Sequence, residues 1–297
     1  MLFPISHVSL SPLLLVLVGV LVGTLSGLFG MGGSFIAGPS LFAMGLPMHY
    51  VVGTDLASIV GTAVVGSRHH RVLGNVDMKL AVLLTGGTMA GVELGVRLVA
   101  FLTPTREADL AIALCAALVF LAISAAVGVE SGRAYLRGRT RGAPQEPRSF
   151  VARGHWWLRL PPLVSLPDSG IEALSLWTIL AAGAGTGFFS GFLGGGGGYL
   201  RLPMLVYLLG VPTHVAVGTD LFEVALSAGF GTARHALAGN VDILIALAIN
   251  AGAVFGARTG AALARFVRGP KLRLAFAPLP AVGAVVLLGT LVARGGR

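Results

Sequence analysis

The chain has 297 residues, of which 55% are hydrophobic and only 11% charged, with a formal net charge of +9. Soluble domains carry roughly 25% charged residues, so this composition excludes an ordinary soluble domain and places the chain in a lipid bilayer. The basic charge collects in short segments between apolar runs, as topology signals do, which argues against nucleic acid as a partner. Cys115 is the only cysteine, so no intrachain disulfide, CxxC pair or cysteine zinc site is available.

Apolar runs bounded by turn and charge signals predict helices at 10–29, 34–46, 51–67, 79–101 and 109–129, then at 172–193, 198–210, 215–232, 243–267 and 272–292. Leu110 to Val129 is the clearest uncharged run of the ~20 residues that cross a ~30 Å hydrocarbon layer. The apolar N-terminus lacks a basic leader and corresponds to residues 176–187 of the second half, so it reads as a span rather than a cleaved signal peptide. Residues 130–170 are of another kind. They hold Arg133, Arg137, Arg139, Arg141, Arg148, Arg153 and Arg159 among prolines, and read as a cytoplasmic linker with Trp156 and Trp157 at headgroup level. The expected division is a first transmembrane repeat at 1–129, the linker at 130–170 and a second repeat at 171–297.

The chain contains itself twice. Ser26-Gly27-Leu28-Phe29-Gly30-Met31-Gly32-Gly33 returns as Ser190-Gly191-Phe192-Leu193-Gly194-Gly195-Gly196-Gly197. Gly53-Thr54-Asp55-Leu56 returns as Gly218-Thr219-Asp220-Leu221, and Gly74-Asn75-Val76-Asp77 as Gly239-Asn240-Val241-Asp242. What recurs is mostly glycine and polar residues, hence backbone geometry and polar chemistry. The fold expected is an all-α polytopic membrane protein of two repeats, each of about five transmembrane helices with one short helix after a Gly-rich break. Five crossings per half make the repeats inverted, whereas four make them parallel. Inversion gathers Arg68, Arg71, Lys79, the linker arginines and the 265–273 cluster on the cytoplasmic side, and that bias favours it.

Glycine runs inside an apolar segment cost roughly 1 kcal/mol per residue relative to alanine in a helix. Broken backbone persists in a membrane only where protein or a wet cavity covers it. Two matched breaks, each followed by a new helix, offer N–H groups and positive dipole ends to an anion. Gly30, Gly32, Gly33, Ser34 and Phe35, with Gly194, Gly195, Gly196, Gly197, Gly198 and Tyr199, are the expected substrate-binding positions; close helix packing is the alternative use of such glycines. Arg201, whose counterpart is Ala37, adds a guanidinium fork that matches tetrahedral oxyanions, unless it snorkels to the interface.

Asp55 and Asp220 read as caps of the third helix of each half or as coupling groups, and Glu223, whose counterpart is Ser58, as a further coupling carboxylate. Asn75 with Asp77, and Asn240 with Asp242, read as a turn plus N-cap. His49, His70, His214 and His235 read as solvated or capping, and no histidine spacing supports a metal or cofactor. Glu93 and Arg97 are spaced for a helical ion pair, and Arg258, at the position equivalent to Glu93, is the expected partner of Glu93 across the repeats.

The doubled order of Ser-Gly-x-x-Gly-x-Gly-Gly, Gly-Thr-Asp and Gly-Asn-Val-Asp resembles the sulfite exporter TauE/SafE family, also called the toluene sulfonate uptake permease family. The resemblance spans roughly residues 12–129 and 172–292. It implies a multi-pass transporter of the bacterial inner membrane for sulfur-containing oxyanions or organosulfonates such as sulfite or sulfoacetate, with binding at the glycine segments 30–33 and 194–198. The expected mechanism is alternating access with one half rocking against the other, proton coupling through Asp220 or Glu223, no cofactor, no catalysis, and a homodimeric assembly. A passive anion channel is the competing function.

Overall fold

A computed structural model describes residue 3, residues 5–29, 33–104, 107–141, 158, 160–264 and 274–295. The helices of the first half are α1 (Pro12–Phe29), α2 (Ser34–Ala43), α3 (Met48–Val72), α4 (Met78–Leu102) and α5 (Ala108–Arg141). Those of the second half are α6 (Leu176–Leu193), α7 (Gly198–Pro203), α8 (Thr213–Leu237), α9 (Ile243–Ala264) and α10 (Pro278–Gly295). α7 continues as a π-helix over Met204–Leu209, beginning directly after Pro203, whose ring nitrogen has no hydrogen to give to a helical bond. Among the described residues, seven helices are long and apolar enough to cross a membrane. α8 falls outside that set because Asp220, Glu223 and Arg234 interrupt it, yet its 25 residues span about 37 Å.

Two boundaries matter for function. α3 and α8 begin at Met48 and Thr213, earlier than the sequence predicts, so Asp55 and Asp220 lie beyond the first helical turn. They are therefore not N-caps, since capping serves only the N–H groups of that turn. α5 runs on to Arg141, into the stretch read as linker, and its 34 residues measure about 51 Å against a ~30 Å hydrocarbon layer. The end of that stretch is a hairpin of β1 (Leu163–Leu166) and β2 (Ile171–Ser175), turned at Pro167-Asp168-Ser169 with Gly170 at φ 67°. Lys79 Nζ donates to the carbonyl of Ser165 at 2.8 Å and pins the hairpin to the start of α4. Trp156, Trp157, Arg148, Arg153 and Arg159 lie outside the described residues.

Helix direction follows from which residues meet. Gly19 lies against Ile249 and Gly23 against Ala253, so α1 runs parallel to α9. Gly53 lies against Asn240 and Gly61 against Asn250, so α3 runs parallel to α9 as well. By the same reading, Gly87, Gly91 and Gly95 meet Leu180, Ala184 and Phe188, and α4 is parallel to α6. α3 crosses α8 in the opposite sense, with Gly66 at Leu221 and Leu56 at Gly231.

Because α1 and α3 point the same way, the segment between them, α2 included, brings the chain back to its starting side. Each helix of the first half packs mainly on helices of the second: α1 on α9, α4 on α6, α3 on α8, and α2 and α5 on α10. At Gly19, Gly91, Gly252 and Gly256 an added Cβ would collide with a backbone atom of the neighbouring helix. The two sequence halves are interlaced rather than side by side.

Candidate functional site

α6 ends at Leu193, and the next four residues, Gly194 to Gly197, have φ of 83°, 82°, 68° and 73°. L side chains rarely adopt such values, so a run of four requires glycine. A Cβ at Gly196 would meet Ile59 and Val224, and one at Gly197 would meet the carbonyl of Thr186. The break is thus wedged among α3, α6 and α8, and α7 starts from it.

One turn into α7, Arg201 turns back toward the break. Its Nη2 donates to the carbonyl of Gly196 at 3.3 Å, its Nε to Thr186 Oγ1 at 3.4 Å and its Nη1 to Asp220 Oδ1 at 3.1 Å. Nη1 also pairs with Glu223 Oε2, which accepts a further bond from Ser227 Oγ at 3.3 Å. Arg201, Asp220 and Glu223 are each 0% exposed. Arg201 therefore does not snorkel. A guanidinium removed from water needs carboxylate partners, and α8 presents two, one helical turn apart.

The arrangement is over-supplied with acceptors. Among the described residues, Asp220 Oδ2 and Ser190 Oγ are buried without hydrogen-bond partners, although buried polar atoms are normally paired. One fixed cation faces two carboxylates, so the guanidinium expected beside the glycine break is held by the two acids read as coupling groups.

Asp55 lies elsewhere. It lines a small cavity together with Gly38, Val51, Phe120, Gly194 and Tyr199. The Tyr199 hydroxyl donates to the carbonyls of Phe189 at 3.4 Å and Gly194 at 3.5 Å, and its ring meets Phe120 edge-on. In the first break, Gly33 has φ 70°, and a Cβ there would collide with the carbonyl of Val22. Phe35 is buried with its ring edge-on to Phe276, 5.3 Å between centroids. Gly30, Gly32 and the Ser34 side chain lie outside the described residues.

The repeated loops find each other. Asp77 Oδ1 accepts from Leu80 N at 2.9 Å, and Asp242 Oδ1 accepts from Leu244 N and Ile245 N, the turn and N-cap read from the sequence. Beyond that, Asp77 N donates to Thr219 Oγ1 and Asp242 N to Thr54 Oγ1, both at 2.9 Å. Ser169 Oγ and Ser6 Oγ complete the second carboxylate oxygens of Asp77 and Asp242. Each Gly-Thr-Asp thus docks the Gly-Asn-Val-Asp of the other half, a pairing that a linear repeat does not display.

Two expectations are corrected. Glu93 pairs with Arg97 at 2.8 Å but not with Arg258; its second partner is Arg234, at 2.5 and 2.7 Å. Arg258 is exposed on α9, which packs on α1 and α3, whereas Glu93 on α4 meets α8. His235 is neither solvated nor a cap: it is 0% exposed, with Nε2 at 2.9 Å from the carbonyl of Gly191.

Comparison with known proteins agrees with this architecture. The chain is 26% identical to the probable membrane transporter protein YunE of Bacillus subtilis, over 86% of the chain and 89% of that protein. It is 24% identical to YdhB of the same organism, also a probable membrane transporter protein, over 93% of the chain and 100% of that protein. A probable membrane transporter protein of Xylella fastidiosa strain 9a5c is 28% identical over 83% of the chain and 82% of its own length. No solved structure matches the chain significantly. A family model described as sulfite exporter TauE/SafE matches residues 15–287. With that match over nearly its whole length and its apolar spans, this multi-pass membrane protein belongs to the sulfite exporter TauE/SafE family.

Proposed function

We propose that the chain is a secondary transporter for sulfur-containing oxyanions or organosulfonates, with Arg201 as the anion ligand and Asp220 and Glu223 as the groups that compete for it. The observation that carries this reading is the Arg201 guanidinium at the glycine break, wholly buried between two carboxylates. A planar guanidinium suits a tetrahedral oxyanion through paired hydrogen bonds. An entering anion displaces a carboxylate from Arg201, and a proton on that carboxylate weakens its hold. Anion entry and proton binding then favour one another, which is the thermodynamic basis of coupled movement.

The opposite sense of α3 and α8 supports reading the halves as inverted repeats, and the arginine bias of the sequence favours a cytoplasmic side for the linker. The moving units are the tightly packed pairs, α1 with α9 and α4 with α6, because rocking the sequence halves as bodies would pull apart backbones already in contact. Nothing in this chemistry calls for a catalytic step.

Reconstituted vesicles test the reading. Saturable counterflow of labelled sulfite or sulfoacetate, driven by an imposed pH gradient and lost in Arg201→Gln, is the expected result. Flux linear in concentration, without counterflow, makes the protein a passive anion channel instead.

A further inference from the structure

Asp55 and Asp220 hold the same place in the two copies of Gly-Thr-Asp, and both are sealed from solvent, at 1% and 0% exposure. Their surroundings differ in charge. Asp220 has the Arg201 guanidinium, but the counterpart of Arg201 in the first half is Ala37, and no cationic side chain among the described residues pairs with Asp55. Among the described residues the Asp55 carboxylate accepts one hydrogen bond, to Oδ1 at 3.4 Å from Ser58 Oγ, whose shorter contact is with the Asp55 backbone carbonyl at 2.8 Å. Its Oδ2 accepts none among the described residues, and a Cβ on Gly38 would sit 3.6 Å from it.

A carboxylate within a span and without counter-charge is a costly arrangement, and such groups mark ion pathways. In the second half Arg201 offsets that cost. We propose that the cavity beside Asp55 binds a small monovalent cation, a proton or a sodium ion, which supplies at Asp55 the positive charge that Arg201 supplies at Asp220.

Three features define the occupant. It is small, because the cavity has room for about one water-sized body. It is weakly hydrated or a bare proton rather than a fully hydrated ion: among the described residues α2, α5 and α10 contribute Gly38, Pro39, Ala116, Phe120 and Leu287 to the walls, none with a polar side chain to replace lost water, which favours the proton. It is monovalent, because among the described residues lining the space Asp55 is the only charged one. Tyr199 is the titratable side chain that faces Asp55 there, and its hydroxyl is turned to backbone carbonyls. Arg201, two residues on, is held by Asp220 and Glu223.

The cavity wall joins Asp55 of the first half to Gly194 of the second, so an ion there touches the same break that positions Arg201. A role as coupling ion rests on the transporter reading; the binding does not.

The test is thermal unfolding of the purified full-length chain. Sodium is titrated against choline at fixed pH and ionic strength, and pH is varied separately in sodium-free buffer. A saturable rise of roughly 3 °C in one arm identifies the ion, and Asp55→Asn is expected to abolish that dependence. Wild-type protein indifferent to both ions, or an Asp55→Asn variant that keeps the dependence, overturns the proposal. Should that variant not fold, an apolar carbodiimide applied to the wild-type chain and located by mass spectrometry gives the answer without mutation. Modification of Asp55 that rises with acidity, or that sodium prevents, supports the site; its absence at every pH and sodium concentration refutes it. Stabilisation by sulfite in the same preparation reads Arg201 separately, so the two failures are distinguishable.

Discussion

Thr54 Oγ1 accepts the backbone N–H of Asp242 at 2.9 Å, and Thr219 Oγ1 accepts that of Asp77 at the same distance. Each bond is buried and joins one half of the chain to the other. Replacing Thr54 with valine keeps the shape and removes the acceptor, which leaves a buried N–H unpaired at a cost of about 1–3 kcal/mol. Thr54→Val and Thr219→Val should each lower the unfolding midpoint of the purified protein. Together they should do so nearly additively, because they sit in separate contacts.

Arg201 offers a sharper comparison. Arg201→Gln strands Asp220 and Glu223 in the interior, where losing one partner of a buried pair costs about 3–5 kcal/mol. Adding Glu223→Gln removes one of the stranded charges. The double variant should therefore unfold at a higher temperature than Arg201→Gln alone while remaining inactive in vesicle uptake. If the double variant recovers uptake, Arg201 is not the anion ligand.

The glycines divide by what surrounds them. At Gly91 an added Cβ would run into the Ala184 carbonyl, and at Gly256 into that of Val20, so alanine there must force α4 from α6 or α1 from α9. Gly185 and Gly289 have nothing within 4 Å of the same atom. Gly91→Ala and Gly256→Ala should reduce the yield of folded protein severely. Gly185→Ala should be neutral, or stabilising by up to about 1 kcal/mol through helix propensity. Size-exclusion profiles of the three variants check this.

Glu93 joins α4 to α8 through Arg234, with side-chain exposures of 22% and 36%. A pair this open is screened by salt. Glu93→Gln should therefore shift the midpoint slightly in dilute buffer and leave it unchanged in molar salt. The exchanged pair Glu93→Arg with Arg234→Glu should restore most of the low-salt difference.

Much of this was legible along the chain because a bilayer imposes its own simple rules: uncharged runs long enough to cross become helices, and backbone interrupted within them must be covered by something. The ten helices of the described residues, the glycine break after α6 and the candidacy of Arg201, Asp220 and Glu223 all follow from composition, spacing and the internal repeat. Tertiary structure alone decided the partners. Which carboxylate meets Arg201, that Asp55 meets no cationic side chain among the described residues, that Glu93 finds Arg234 rather than Arg258, and that each Gly-Thr-Asp clasps the loop of the opposite half depend on α3 crossing α8 antiparallel while α1 and α9 run together. A repeat reports equivalence between positions, whereas contact depends on where the helix packing puts them. Positions equivalent in the repeat need not share partners: among the described residues Asp220 meets Arg201, whereas Asp55 meets no cationic side chain, because position 37 carries alanine where position 201 carries arginine.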